Sequence, residues 1–110
     1  MQNLQAYSGK TVIVTGGGGH IGRAIAEGYL RAGANVVICG RREPVEPVQV
    51  DERTALFVQA DIRDAQQSQR VVDAAMQSYG SVDVLVNNAG GSPPVDAAPA
   101  DPALTQKLSS

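Results

Sequence analysis

Between residues 15 and 22 the chain reads Thr-Gly-Gly-Gly-Gly-His-Ile-Gly, and five of its twelve glycines fall in this stretch. Gly17, Gly19 and Gly22 fit G-x-G-x-x-G at a point where a β-branched run, Thr11–Thr15, gives way to helical spacing. In that setting the first glycine allows a tight turn, the middle one lets backbone approach a pyrophosphate, and the last lets helix and strand pack closely. Backbone N–H groups and the positive end of the helix then meet the anion. A generic glycine turn is the alternative, and the strand before and helix after argue against it. Gly40-Arg41-Arg42 follows the second apolar run, where the adenosine ribose of a dinucleotide would lie. An acid there would hold a ribose 2′-hydroxyl, whereas two guanidiniums hold a 2′-phosphate through forked hydrogen bonds. The next acid is Glu43, so the expected cofactor is NADP(H) rather than NAD(H); solvated loop arginines are the alternative. Asp61 either accepts from the adenine amino group or only starts a turn. His20 either reaches a cofactor phosphate or faces solvent from the first helical turn.

Alternating strand and helix signals supply the frame for these residues. Residues 11–15, 35–39, 55–59 and 82–86 read as strands apolar on both faces, which suits a buried parallel sheet. Ile21, Ala24, Ile25, Tyr29 and Ala32 predict a helix with one apolar stripe, stopped at Gly33. Gly28 lowers its propensity and admits close packing. Asp64 is placed as the N-cap of a second helix, with Gln67 at capping-box spacing. Val71, Val72, Ala75, Met76 and Tyr79 form its apolar face, and Gly80 ends it. Residues 41–54, with Pro44 and Pro47, read as a loop or single turn. Residues 93–110 read as loop and the start of a further helix. Right-handed crossovers then give an α/β fold, a partial doubly wound, Rossmann-type parallel sheet of strand order 3-2-1-4 in a single domain.

Composition removes other classes. A chain of 110 residues is too short for two domains or an eight-fold β/α barrel. Its 43% hydrophobic and 18% charged residues exclude disorder throughout. No Trp, three Tyr, one Phe and a net charge of −2 argue against a nucleic-acid partner. One cysteine, Cys39, and one histidine exclude a disulfide framework and make a metal site improbable. The polar start of the chain has no signal-peptide core, and no apolar run reaches the roughly 18 residues of a membrane span. A cytoplasmic protein is expected.

Thr15–Gly22, Gly40-Arg41-Arg42, Asp61-Ile62 and Asn87-Asn88-Ala89-Gly90 together resemble the short-chain dehydrogenase/reductase family, in its order and spacing, over about residues 9–92. The resemblance implies a dinucleotide held by Thr15, Gly16, Gly17, Gly19, His20, Ile21 and Gly22 at the turn. Arg41, Arg42, Asp61 and Ile62 would meet the adenosine. Asn88, Ala89 and Gly90 would shape the active-site side of the pocket and support the sheet. One departure concerns His20, which stands where the compact branch has the penultimate glycine of T-G-x-x-x-G-x-G. The turn instead fits T-G-x-x-G-x-x-G through Thr15, Gly16, Gly19 and Gly22, as in the extended branch, whose members often act on nucleotide sugars. Asn87-Asn88-Ala89-Gly90 points to the compact branch.

Members of the family move protons with a Tyr-x-x-x-Lys pair, in which a lysine lowers the pKa of a phenol at the substrate oxygen. Here Tyr7, Tyr29 and Tyr79 are followed four residues on by Thr11, Gly33 and Asp83, and the lysines are Lys10 and Lys107. No catalytic residue is therefore assigned within the chain. The expectation is the N-terminal, cofactor-binding half of an NADP(H)-dependent oxidoreductase, which exchanges a hydride between nicotinamide and a carbonyl or alcohol. The alternatives are a stand-alone, non-catalytic dinucleotide-binding module and an extended-branch enzyme. The open edge of strand 82–86 is expected to favour self-association.

Overall fold

The computed structural model describes residues 6–88. Strands β1 (Thr11–Thr15) and β2 (Asn35–Gly40) are followed by the short β3 (Gln49–Val50) and β4 (Arg53–Thr54), then by β5 (Leu56–Gln59) and β6 (Val84–Val86). Helix α1 (His20–Arg31) joins β1 to β2, and α2 (Ala65–Tyr79) joins β5 to β6. The main sheet is parallel with order β5-β2-β1-β6. This is the expected 3-2-1-4 arrangement once the two short strands take the numbers three and four.

The unbroken apolar character of β1 and β2 follows from helices on both faces. Val12, Val14, Val36 and Ile38 pack with Ala26 and Leu30 of α1, while Ile13, Val37 and Cys39 pack with Val71 and Ala75 of α2. All five residues of β1 are buried. Its start is closed by Asp83, whose carboxylate accepts from the Thr11 N–H at 2.9 Å and from the Ser81 hydroxyl at 3.0 Å. The Asp83 N–H returns a bond to the Thr11 carbonyl. These donors hold the Asp83 carboxyl below the usual carboxylate range.

Several local expectations shift. The buried face of α1 is Gly22, Ala26 and Leu30, whereas Ile21 is 69% exposed and Ala24 faces solvent. The close approach of Gly22 to the glycine turn fixes the helix's rotation, and a glycine carries no apolar signal in a sequence. Gly28 is exposed, and a Cβ there would meet nothing within 4 Å, so it serves no close packing. The 41–54 segment contains a small antiparallel hairpin, β3 with β4, turning through Asp51 at φ 55°. Val48 before it is buried in the α1-side core. In α2, Asp64 does cap the helix, accepting from the Gln66 N–H. Gln67 does not complete a reciprocal box: its amide oxygen instead takes the Asp61 N–H at 2.7 Å. Gly80 ends α2 in the left-handed region, at φ 82°. The expectations for residues 93–110, Ala89 and Gly90 lie outside the described residues. Among the described residues no helix is long and apolar enough to cross a membrane.

Candidate functional site

The carboxyl ends of the parallel strands share one edge of the sheet. From β1 the chain proceeds outward to β2 on one side, and β6 lies on the other. The end of β1 is thus a topological switch point, where open α/β sheets leave a crevice for ligands. The glycine turn lies at that point.

Each glycine has its own reason. Gly16 takes φ 69°, a left-handed conformation, and its N–H continues the β1–β2 pairing by donating to the Cys39 carbonyl at 2.9 Å. The tight turn therefore lies at Gly16 rather than at Gly17, the first glycine of the G-x-G-x-x-G fit. A Cβ at Gly17 would strike the Ile38 side chain, and one at Gly22 would strike the Gly16 carbonyl oxygen. Gly19 is different. Its φ of −83° suits any residue, and a Cβ would meet only the Gly16 carbonyl oxygen at 3.8 Å. Among the described residues no contact demands its missing side chain. Gly19 is also the N-cap of α1, where no side chain caps the helix and no acid occupies the first turn. The positive end of α1 is consequently available to an anion. His20 and Ile21 are exposed beside it.

The far wall comes from β2 and β5. Arg41 and Arg42 are exposed just past β2, and Gln59 Nε2 donates to the Arg41 carbonyl at 3.2 Å. Asp61 adopts the turn-starting arrangement. Its carboxylate takes the Arg63 N–H at 3.0 Å and the Arg63 guanidinium in a fork at 3.0 and 2.9 Å. The hydrogen bonds from Arg63 hold the Asp61 carboxyl down at about 2. Ile62 packs against the α2-side core, and its carbonyl accepts from the Ser68 hydroxyl at 2.9 Å.

Thr15 joins the turn to the segment after β6. Its buried hydroxyl accepts from the Asn88 N–H at 2.8 Å and donates toward the Asn87 side-chain oxygen at 3.2 Å. The structure thus brings Thr15, Gly16, Gly17, Gly19, Gly22 and Asn88 together, with the arginines at the next strand end. Cys39 lies buried beneath, and burial pushes its thiol up to about 11. Sequence reasoning missed Arg23, whose guanidinium donates to the carbonyls of Glu46 at 2.7 Å and Pro47 at 3.3 Å. The available signal was a cation in the first turn of a helix, where the dipole disfavours it.

The profile of the short chain dehydrogenase family matches residues 10–109. The L-rhamnose 1-dehydrogenase (NAD(P)(+)) of Azotobacter vinelandii is 44% identical over 90 residues, covering 74% of this chain and 35% of that protein. The L-fucose dehydrogenase of Mus musculus is 36% identical over 95 residues, covering 86% and 35%. Among solved structures, ligand-free Thermoplasma acidophilum aldohexose dehydrogenase is similar at TM-score 0.68 and 34% identity, over 79% of this chain and 32% of that one. An NADH-dependent reductase complexed with NAD is similar at TM-score 0.71 and 32% identity, over 80% and 39%. The chain thus spans about a third of the length of these proteins. The match over nearly all its residues shows that the chain belongs to the short-chain dehydrogenase family.

Proposed function

We propose that this chain binds and orients NADP(H) for hydride exchange with a carbonyl or alcohol substrate. The observation that carries the reading is Gly19. Among the described residues nothing fills its side-chain position, at a helix start with no side-chain cap. A pyrophosphate would fill that cradle and take the backbone N–H groups around Gly19, His20, Ile21 and Gly22. Arg41 and Arg42 would grip the ribose 2′-phosphate, with Asp61 and Ile62 beside the adenine. Asn88, Ala89 and Gly90 would border the nicotinamide side. Bound nicotinamide supplies the hydride chemistry. The family's Tyr-x-x-x-Lys pair is not among these 110 residues, so the role assigned to them is binding and orientation. The single unpaired cysteine suits a reducing, cytoplasmic setting.

Three of the similar proteins are named for action on L-rhamnose, L-fucose or aldohexoses. We extend that substrate class, an aldose oxidised at a hydroxyl, to the whole protein. A panel of aldoses assayed by nicotinamide absorbance tests it, and turnover confined to non-sugar carbonyls would contradict it. The cofactor reading is tested by titrating the intact protein with NADPH and NADH, following nicotinamide fluorescence. NADPH is expected to bind about tenfold or more tightly, since each charge-assisted bond contributes about 1.5–3 kcal/mol. Equal or tighter binding of NADH would refute the role of Arg41 and Arg42.

A further inference from the structure

Residues 41–47 belong to no helix or strand, yet they carry both candidate phosphate-binding arginines. Side chains from two other elements hold them. Gln59 lies opposite Gly40 in the β2–β5 register and reaches one residue on, to the Arg41 carbonyl at 3.2 Å. The Gln59 main chain is held in turn, because Arg70 donates to its carbonyl. At the other end, Arg23 of α1 spans the Glu46 and Pro47 carbonyls with its two terminal nitrogens. Between these anchors the Pro44 ring faces Gly18, where an added Cβ would lie 3.0 Å from Pro44 Cγ. The loop is therefore fastened to β5 and to α1, and it runs beside the glycine turn.

We propose that Arg23 and Gln59 are positioning residues that set cofactor preference by fastening this loop; the inference rests on the NADP(H) reading above. Exposed arginines on a loose loop must lose backbone and rotamer freedom when they close on a phosphate, and that loss is subtracted from affinity. A loop already ordered by its carbonyls loses less. The placement of Arg23 supports a tethering task. A cation in the first turn of α1 opposes the helix dipole, and its guanidinium is spent on two carbonyls outside the helix. Only a ligand that uses Arg41 and Arg42 gains from the fastening, so NADPH should feel its loss and NADH should not.

The test compares Arg23→Ala, Arg23→Lys, Gln59→Ala and the double variant Arg41→Ala/Arg42→Ala in the intact protein. Dissociation constants for NADPH and NADH are measured by nicotinamide fluorescence. Arg23→Ala and Gln59→Ala should each weaken NADPH by about fivefold to tenfold and leave NADH within about twofold, the size expected for losing preorganisation. Arg23→Lys, which reaches one carbonyl with a point charge, should recover part of the loss. Equal weakening of both cofactors, or no change in either, would overturn the inference. The double variant separates the two levels. If it keeps the NADPH preference, the NADP(H) reading itself fails. If it abolishes the preference while the Arg23 and Gln59 variants retain it, only the positioning inference fails. Should Arg23→Ala not fold, as judged by its melting curve, Gln59→Ala decides alone.

Discussion

A methyl group at Gly22 would run into the Gly16 carbonyl oxygen, whereas one at Gly28 would meet nothing within 4 Å. Gly22→Ala should therefore cost about 1–3 kcal/mol through forced backbone shifts. Gly28→Ala should stabilise by about 0.5–1 kcal/mol, since an exposed helical glycine only adds unfolded-state freedom. Denaturant midpoints check both, and opposite signs are expected. Asp61 gives a pH-dependent counterpart. Its carboxyl is held at about 2 by Arg63, against roughly 3.9 in an unfolded chain. Its contribution is thus complete above the ordinary value and lost as pH falls toward 2. Arg63→Ala should move the Asp61 midpoint up toward about 3.9 in a carboxyl NMR titration. A midpoint left unchanged would contradict the Arg63 fork. The Asp61 turn was legible in the sequence as one of two readings. Its partner was not, because two residues of spacing do not tell which way an exposed arginine folds.

Helix α2 illustrates how well local signals survive. Asp64 and Gly80 bound it as their residue types require, one accepting from the Gln66 N–H and the other taking a positive φ. Asp64→Ala should lower stability by about 1 kcal/mol and Asp64→Asn by much less, read from thermal melts. Helix α1 was legible in extent but not in rotation. Ile21 carried the strongest apolar signal in its first turn and is 69% exposed, while Gly22 is buried. The 49–54 hairpin was not legible, since strands of two residues show no alternation. Val48 entered the core from a proline-rich segment with no periodic pattern around it.

The sheet order was legible because right-handed crossovers leave few topologies and the doubly wound pattern selects among them. The candidate site was legible in its placement: the turn at a switch point, with arginines at the next strand end. The fastening of the 41–47 loop was not, since it depends on main-chain carbonyls that no residue type announces. Among the described residues β6 pairs only with β1, and its three apolar residues are half-buried. Prepared alone, residues 1–110 should self-associate through this edge, as seen by sedimentation. A monodisperse monomer with a cooperative melt would contradict that. Cys39 offers a probe of the same fold. Its thiol, at about 11, should resist thiol reagents at mildly alkaline pH until the sheet opens.

Backbone amide NMR reads whether a dinucleotide pyrophosphate sits on the start of α1. On addition of NADPH to the intact protein, the largest shifts are predicted at Gly18, Gly19, His20, Ile21 and Gly22, with a second group at Arg41 and Arg42. Saturable binding that leaves those amides unmoved, or moves the opposite end of the strands, would rule out a pyrophosphate at this helix start.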